Sequence, residues 1–205
     1  KGTSESKDKT VYGRIDISSF TLADGTDILP LMTFIRPDDG NPNDSTVIQI
    51  ILPEPAAPGD TVTVSIDFVT KLPSRIRRTG YNGDFFFVAQ WFPKFGVYEP
   101  AGMRYRLTGC WNCHQFHDHS EFYSNHSVYN VKATVPDNFV TGSGGMVMDE
   151  SDCSEDTAFK TVTWRAEDIV DFAWTAWPGY AVHTDQWNHV NITLLSPPER
   201  EDQVE

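Results

Sequence analysis

The stretch GCWNCHQFHDHSEFYSNH, residues 109 to 126, carries two of the chain's three cysteines and four of its six histidines. Cys110-Trp-Asn-Cys113-His114 spells C-x-x-C-H, the pattern of covalent haem attachment through two thioethers and an axial imidazole. His117 and His119 extend the same segment, so Cys113, His114, His117 and His119 form a candidate metal set of the kind that binds zinc. On a strand, His117 and His119 would share a face and His114 would not. No second C-x-x-C completes a four-ligand zinc pattern. Cys110 and Cys113 are also a candidate disulfide, with Asn112 suited to the tight turn that so short a ring needs. The plain alternative is a set of hydrogen-bonded histidines on a strand or turn.

Other chemical signatures are missing. The sequence holds no H-E-x-x-H, no G-x-S-x-G, no P-loop and no dinucleotide fingerprint. Asp168 and Asp171 read as loop or cap residues rather than a catalytic pair. The charge balance, 16 basic against 29 acidic residues and a net −13, disfavours nucleic acid, whose phosphates demand clustered Lys and Arg. It equally disfavours an anionic membrane surface. The longest aromatic run, FFFVAQWF (85–92), is too short for a membrane span. Glycosylation triplets at Asn43, Asn125 and Asn191 matter only in a eukaryotic secretory route.

These residues must be positioned by β structure. VYGRIDISSFTL (11–22) alternates around Ile15, Ile17 and Phe20. In TVTVSIDFVTKLP (61–73), Val62, Val64, Ile66 and Phe68 alternate with Thr61, Thr63, Ser65 and Asp67, which sends one face to a core. Strands are expected near 13–22, 46–53, 61–71, 84–92, 127–135, 159–166 and 189–196, with LMTFI and DFAWTAWP as shorter candidates. EPAAPGD reads as a hairpin connection between 46–53 and 61–73. RPDDGNPNDS (36–45) is a long loop, and 141–156 is an acidic loop by composition. DFFFVAQWFP, continuously apolar, suits a strand buried on both faces. Most of the six tryptophans are expected in a core or an interface. PPEREDQVE has Pro ahead of helix formers with acids in the first turn, a helix start, and reads as a domain boundary.

TGYNGDFFFVAQWFPKFGVYEPAG, followed by WNCHQFHDHSEFYSNHSVYNVKATVPDNFVTGSGG, resembles the N-terminal β-domain of bacterial zinc aminopeptidases of the aminopeptidase N (gluzincin) family. RAEDIVDFAWTAWPGY is similar to that domain's closing strands and SPPEREDQVE to its lead into the catalytic domain. The resemblance runs from about Tyr12 to the last residue and rests on the order of long segments. It implies an all-β fold, an antiparallel β-sandwich or saddle-like sheet domain with long loops. Residues 1–198 would be this domain, without its first strands, and 199–205 the start of the lead-in. It also implies a non-catalytic role: covering a catalytic domain and helping to wall the cleft that admits peptide N-termini. The parent's zinc, held by H-E-x-x-H and a distant Glu, would lie in that absent domain, so this chain would carry no cofactor and be inactive alone. GGMVMDE (144–150) is similar only superficially to the family's amine-recognition motif and lacks its Glu-Asn step.

The implied partners are the chain's own catalytic domain and, through the full protein, peptides. No nucleic acid and no membrane span are expected. An apolar interface cut from its partner would favour self-association. The expected location is extracytoplasmic, secreted or periplasmic. Two other readings stand beside this one. The first is a free-standing secreted β-sandwich module binding a sugar or protein through its aromatics. The second is a mono-haem or metal protein built on Cys110, Cys113 and His114.

Overall fold

Period-two burial decides the architecture. In a computed structural model that describes residues 12–117, 119–153 and 157–204, the chain is all-β and its strands pair antiparallel. Among the described residues the strands are, in chain order, β1 (Arg14–Leu22), β2 (Thr33–Ile35), β3 (Val47–Gln49), β4 (Val64–Lys71), β5 (Gly80–Asn82), β6 (Phe85–Val88), β7 (Val97–Glu99), β8 (Cys110–Asn112), β9 (Ser127–Pro136), β10 (Val140–Ser143), β11 (Met146–Asp152), β12 (Phe159–Ile169), β13 (Trp174–Trp177), β14 (Ala181–Trp187) and β15 (Val190–Ser196). Three short 3₁₀ turns accompany them, and the expected helix start at the end of the chain is one of these, Pro198–Gln203. No helix among the described residues is long and apolar enough to cross a membrane.

The chain divides into two compact units. Of the described residues, one unit contains 12–13, 72–91, 126–153 and 157–204. Its centre is the sheet β11–β12–β9. Val162, Trp164 and Ala166, alternate residues of β12, are buried, as is Val135 of β9. Phe172 closes this core at 0 % exposure, its ring 6.0 Å from both Trp164 and Tyr129. A second sheet runs β10–β13–β6–β5, and β14 pairs with β15. Gly80 lies in β5 at φ +149°, a conformation that only glycine adopts readily. A Cβ there would meet the carbonyl oxygens of Pro73 and Arg75 at 2.8 and 2.9 Å.

The other unit contains residues 14–71 and 92–125. Its longest pairing is β1 with β4, with β2–β3 and β7–β8 as small hairpins. Phe20, Ile28 and Val97 are its buried apolar residues. The β1–β4 register shifts between Ile17 and Ser19. This bulge switches the face of the strand, which is why Phe20 is buried although Ile15 and Ile17 are two odd positions earlier in phase.

Three sequence expectations fail. Residues 46–53 and 61–73 are not a hairpin, because β3 pairs with β2 and β4 pairs with β1. Residues 141–156 are not a loop over the part described. Val140–Ser143 pairs with β13, and Met146–Asp152 forms an edge strand on β12, where its acidic side chains stay in water. Residues 154–156 lie outside the described residues. The apolar run 84–93 gives a strand only over Phe85–Val88, because Gln90 takes φ +54° and turns the chain out of the sheet.

Candidate functional site

The cysteine- and histidine-rich stretch falls in the second unit, on β8 and the segment after it. Its partners come from two places: β7, and the loop at residues 36–45.

Glu99 ends β7 opposite Cys110, so its side chain points inward with that of Val97. It is fully buried. A buried carboxylate must be paired and hydrogen-bonded, and Glu99 is. Asn112 donates its amide to Oε1 at 2.9 Å and Tyr123 its hydroxyl at 3.0 Å. Arg106 donates Nε to Oε2 at 3.1 Å, and Arg104 Nε lies 3.3 Å from Oε1. The Asn112 amide, then the Tyr123 hydroxyl and the two guanidinium groups, hold the Glu99 carboxyl below its ordinary range against the opposing effect of desolvation. The Tyr123 phenol moves the other way, raised by desolvation and by donating to Glu99. Arg104 reaches this position from a strained backbone, φ +49°, with its guanidinium 4.6 Å from the centre of the Tyr123 ring.

Asp38 is the second hub. Nδ1 of His114 lies 2.7 Å from Oδ1, and Nε2 of His117 lies 2.9 Å from Oδ2. An ionised carboxylate only accepts, so each of these ring nitrogens carries its proton. The Gln115 amide N–H donates to Oδ2 at 2.7 Å. The Gln115 side chain, 4 % exposed as a residue, accepts from the backbone N–H groups of Asp38 and Asp39 and donates to Asp39 Oδ1 at 2.9 Å. His114, Gln115 and His117 thus clasp the Asp-rich loop. His117, then His114 and the Gln115 amide, bring the Asp38 pKa down to about 2.

The remaining candidates sit apart from this clasp. Cys113 packs its sulfur against Gly96, so closely that a Cβ there would overlap it. Burial, with the neighbouring Cys110, pushes the Cys113 thiol up, the opposite of an activated thiolate. Cys110, Cys113 and Cys153 are free thiols. His119 is exposed. Among the described residues no three His, Cys, Asp or Glu side chains are arranged to hold a metal ion. In the other unit Asp171 accepts from the Gln90 side-chain amide and from the Phe172 N–H, while Asp168 takes φ +57° at the irregular end of β12. Of the tryptophans, Trp164 is buried to 1 %, whereas Trp111 and Trp187 are largely exposed.

Chemically, both hubs are held ionised and engaged by donors. A carboxylate at a pKa of about 2 is a weak base and no acid at neutral pH. The arrangement fastens chain segments together. Comparison with known proteins adds no assignment: no family model matches the chain, and no curated protein matches it.

Proposed function

We propose that the chain is a non-catalytic β-domain of a zinc metallo-aminopeptidase, covering the catalytic domain and helping to shape the cleft for peptide N-termini. The observation that carries this reading is the state of the histidine-rich stretch. Two carboxylates from outside the stretch, Asp38 of the 36–45 loop and Glu99 of β7, spend their lone pairs on its His114, His117, Gln115, Asn112 and Tyr123 and on two arginines. That is a scaffold role for the segment that would otherwise suggest haem or zinc. The order of the resembling segments and the antiparallel all-β fold support the same reading. The zinc of such an enzyme belongs to the H-E-x-x-H domain, and peptides and the catalytic domain are this domain's partners.

The test is the coding sequence that continues in frame after Glu205. It should encode H-E-x-x-H and, further on, a glutamate as third ligand. A frame that continues without that motif defeats the proposal.

A further inference from the structure

We propose that the segment between β7 and β8 carries a carboxylate-binding site, formed by the outer edges of the Arg104 and Arg106 guanidinium groups. Glu99 is fully buried, and one cation balances its charge. It has two. Arg106 Nε lies 3.1 Å from Oε2 and Arg104 Nε 3.3 Å from Oε1. Asn112 and Tyr123 donate to Oε1 as well. Two guanidinium groups on one carboxylate leave one positive charge in excess. Among the described residues, Glu99 is the one carboxylate paired with either arginine.

A guanidinium carries five N–H donors in a planar fork, so it can hold oxyanions along more than one edge. Both arginines turn Nε to Glu99, while their side chains stay 57 % and 41 % exposed. The edges made by the terminal Nη groups are therefore left for a ligand, and the buried carboxylate behind them fixes where they stand. The backbone gives a second observation. Arg104 sits at φ +49° and ψ +41°, a left-handed conformation that is costly for any residue with a Cβ. Such strain collects at ligand clamps. An exposed ion pair returns little against it, and Glu99 is already served by Arg106, Asn112 and Tyr123. The Arg104 guanidinium is also held flat, 4.6 Å from the centre of the Tyr123 ring. One excess charge matches one carboxylate. A phosphate, with more than one negative charge at neutral pH, would overshoot it in a chain of net −13.

Nuclear magnetic resonance titration of the isotope-labelled whole chain with N-acetylglycine, followed at the arginine Nε–H signals, tests the site. N-acetylglycinamide is the uncharged control and inorganic phosphate the rival anion. Saturable shifts of the Arg104 and Arg106 signals are expected with the acid and not with the amide. Arg104→Lys keeps the charge and removes the fork, and should weaken binding about tenfold, the factor one charge-assisted hydrogen bond supplies. Arg104→Gly removes both the ligand contact and the strain. It should abolish binding while the urea midpoint does not fall. The absence of a saturable shift with N-acetylglycine overturns the proposal. So does equal affinity in Arg104→Lys, or tighter binding of phosphate than of the acid. A lowered midpoint in Arg104→Gly would make Arg104 a tether for Glu99 and overturn it too. None of these results depends on the aminopeptidase reading.

Discussion

Replacing Phe172 by alanine should remove a large share of the stability of the unit that contains it. The ring is 0 % exposed and touches the rings of Trp164 and Tyr129, each 6.0 Å away between centroids. Burying an aromatic side chain hides about 150–250 Å², which at roughly 25 cal/mol per Å² is about 4–6 kcal/mol. Measured Phe→Ala losses in cores run about 3–5 kcal/mol. The site has little room to collapse, because the backbone of Gly145 lies against the ring: a Cβ there would be 3.2 Å from Phe172 Cε2. The expected loss is therefore near the top of that range, about 4–5 kcal/mol, against a total of about 5–15 kcal/mol for a typical domain. Urea unfolding followed by tryptophan fluorescence reads it directly, since Trp164 packs on the deleted ring. Phe172→Leu, which nearly conserves volume, should cost under about 1.5 kcal/mol and keeps the measurement possible if the alanine variant does not fold. A loss below about 1 kcal/mol for Phe172→Ala would refute the placement of Phe172 at the centre of this core.

Three further outcomes follow from particular residues. Gly80→Ala should destabilise by about 2–4 kcal/mol, from strain at φ +149° together with contact on two carbonyl oxygens, and chemical denaturation measures it. Asp38→Asn should lower the unfolding midpoint at neutral pH. The folded pKa of Asp38 is about 2, below its ordinary 3.8, so its contribution is complete above about pH 4 and is lost as pH falls toward 2. The gap between variant and wild type should therefore close over that window in melts recorded from pH 7 to pH 2, and a gap independent of pH would contradict the clasp. Replacing Cys110 and Cys113 together by serine should leave the chain folded by circular dichroism, since neither thiol holds a bond, and the wild type should show no Soret band.

Much of the fold was legible because burial follows period two. The alternation of 61–73 gave β4, and the β-branched run at 159–166 gave β12. Ile15, Ile17 and Phe20 read in the sequence as one alternation, although the odd spacing from Ile17 to Phe20 breaks period two; the bulge between Ile17 and Ser19 is what accommodates it. Strand β11 was hidden because MVMDESD is an exposed edge strand, held by backbone hydrogen bonds to β12 that ask nothing of its side chains. The candidate site was half visible. The histidines stood out, but Asp38 lies 76 residues from His114 in a loop of Asp, Asn, Pro and Gly, where one aspartate looks like any other turn residue. Glu99 could have been suspected, since Val97 and Glu99 share a face of the strand and a carboxylate beside a buried valine needs nearby cations, which Arg104 and Arg106 provide.

The central claim is that this chain is the non-catalytic part of a zinc aminopeptidase. The most direct measurement compares pure 1–205 with the complete protein encoded by the same reading frame, using alanyl-p-nitroanilide with and without zinc and chelator. The account predicts chelator-sensitive hydrolysis by the complete protein and none by 1–205, which contains no H-E-x-x-H to hold a metal and activate water. Zinc-dependent hydrolysis by 1–205 itself, or a complete protein without aminopeptidase activity, would contradict it.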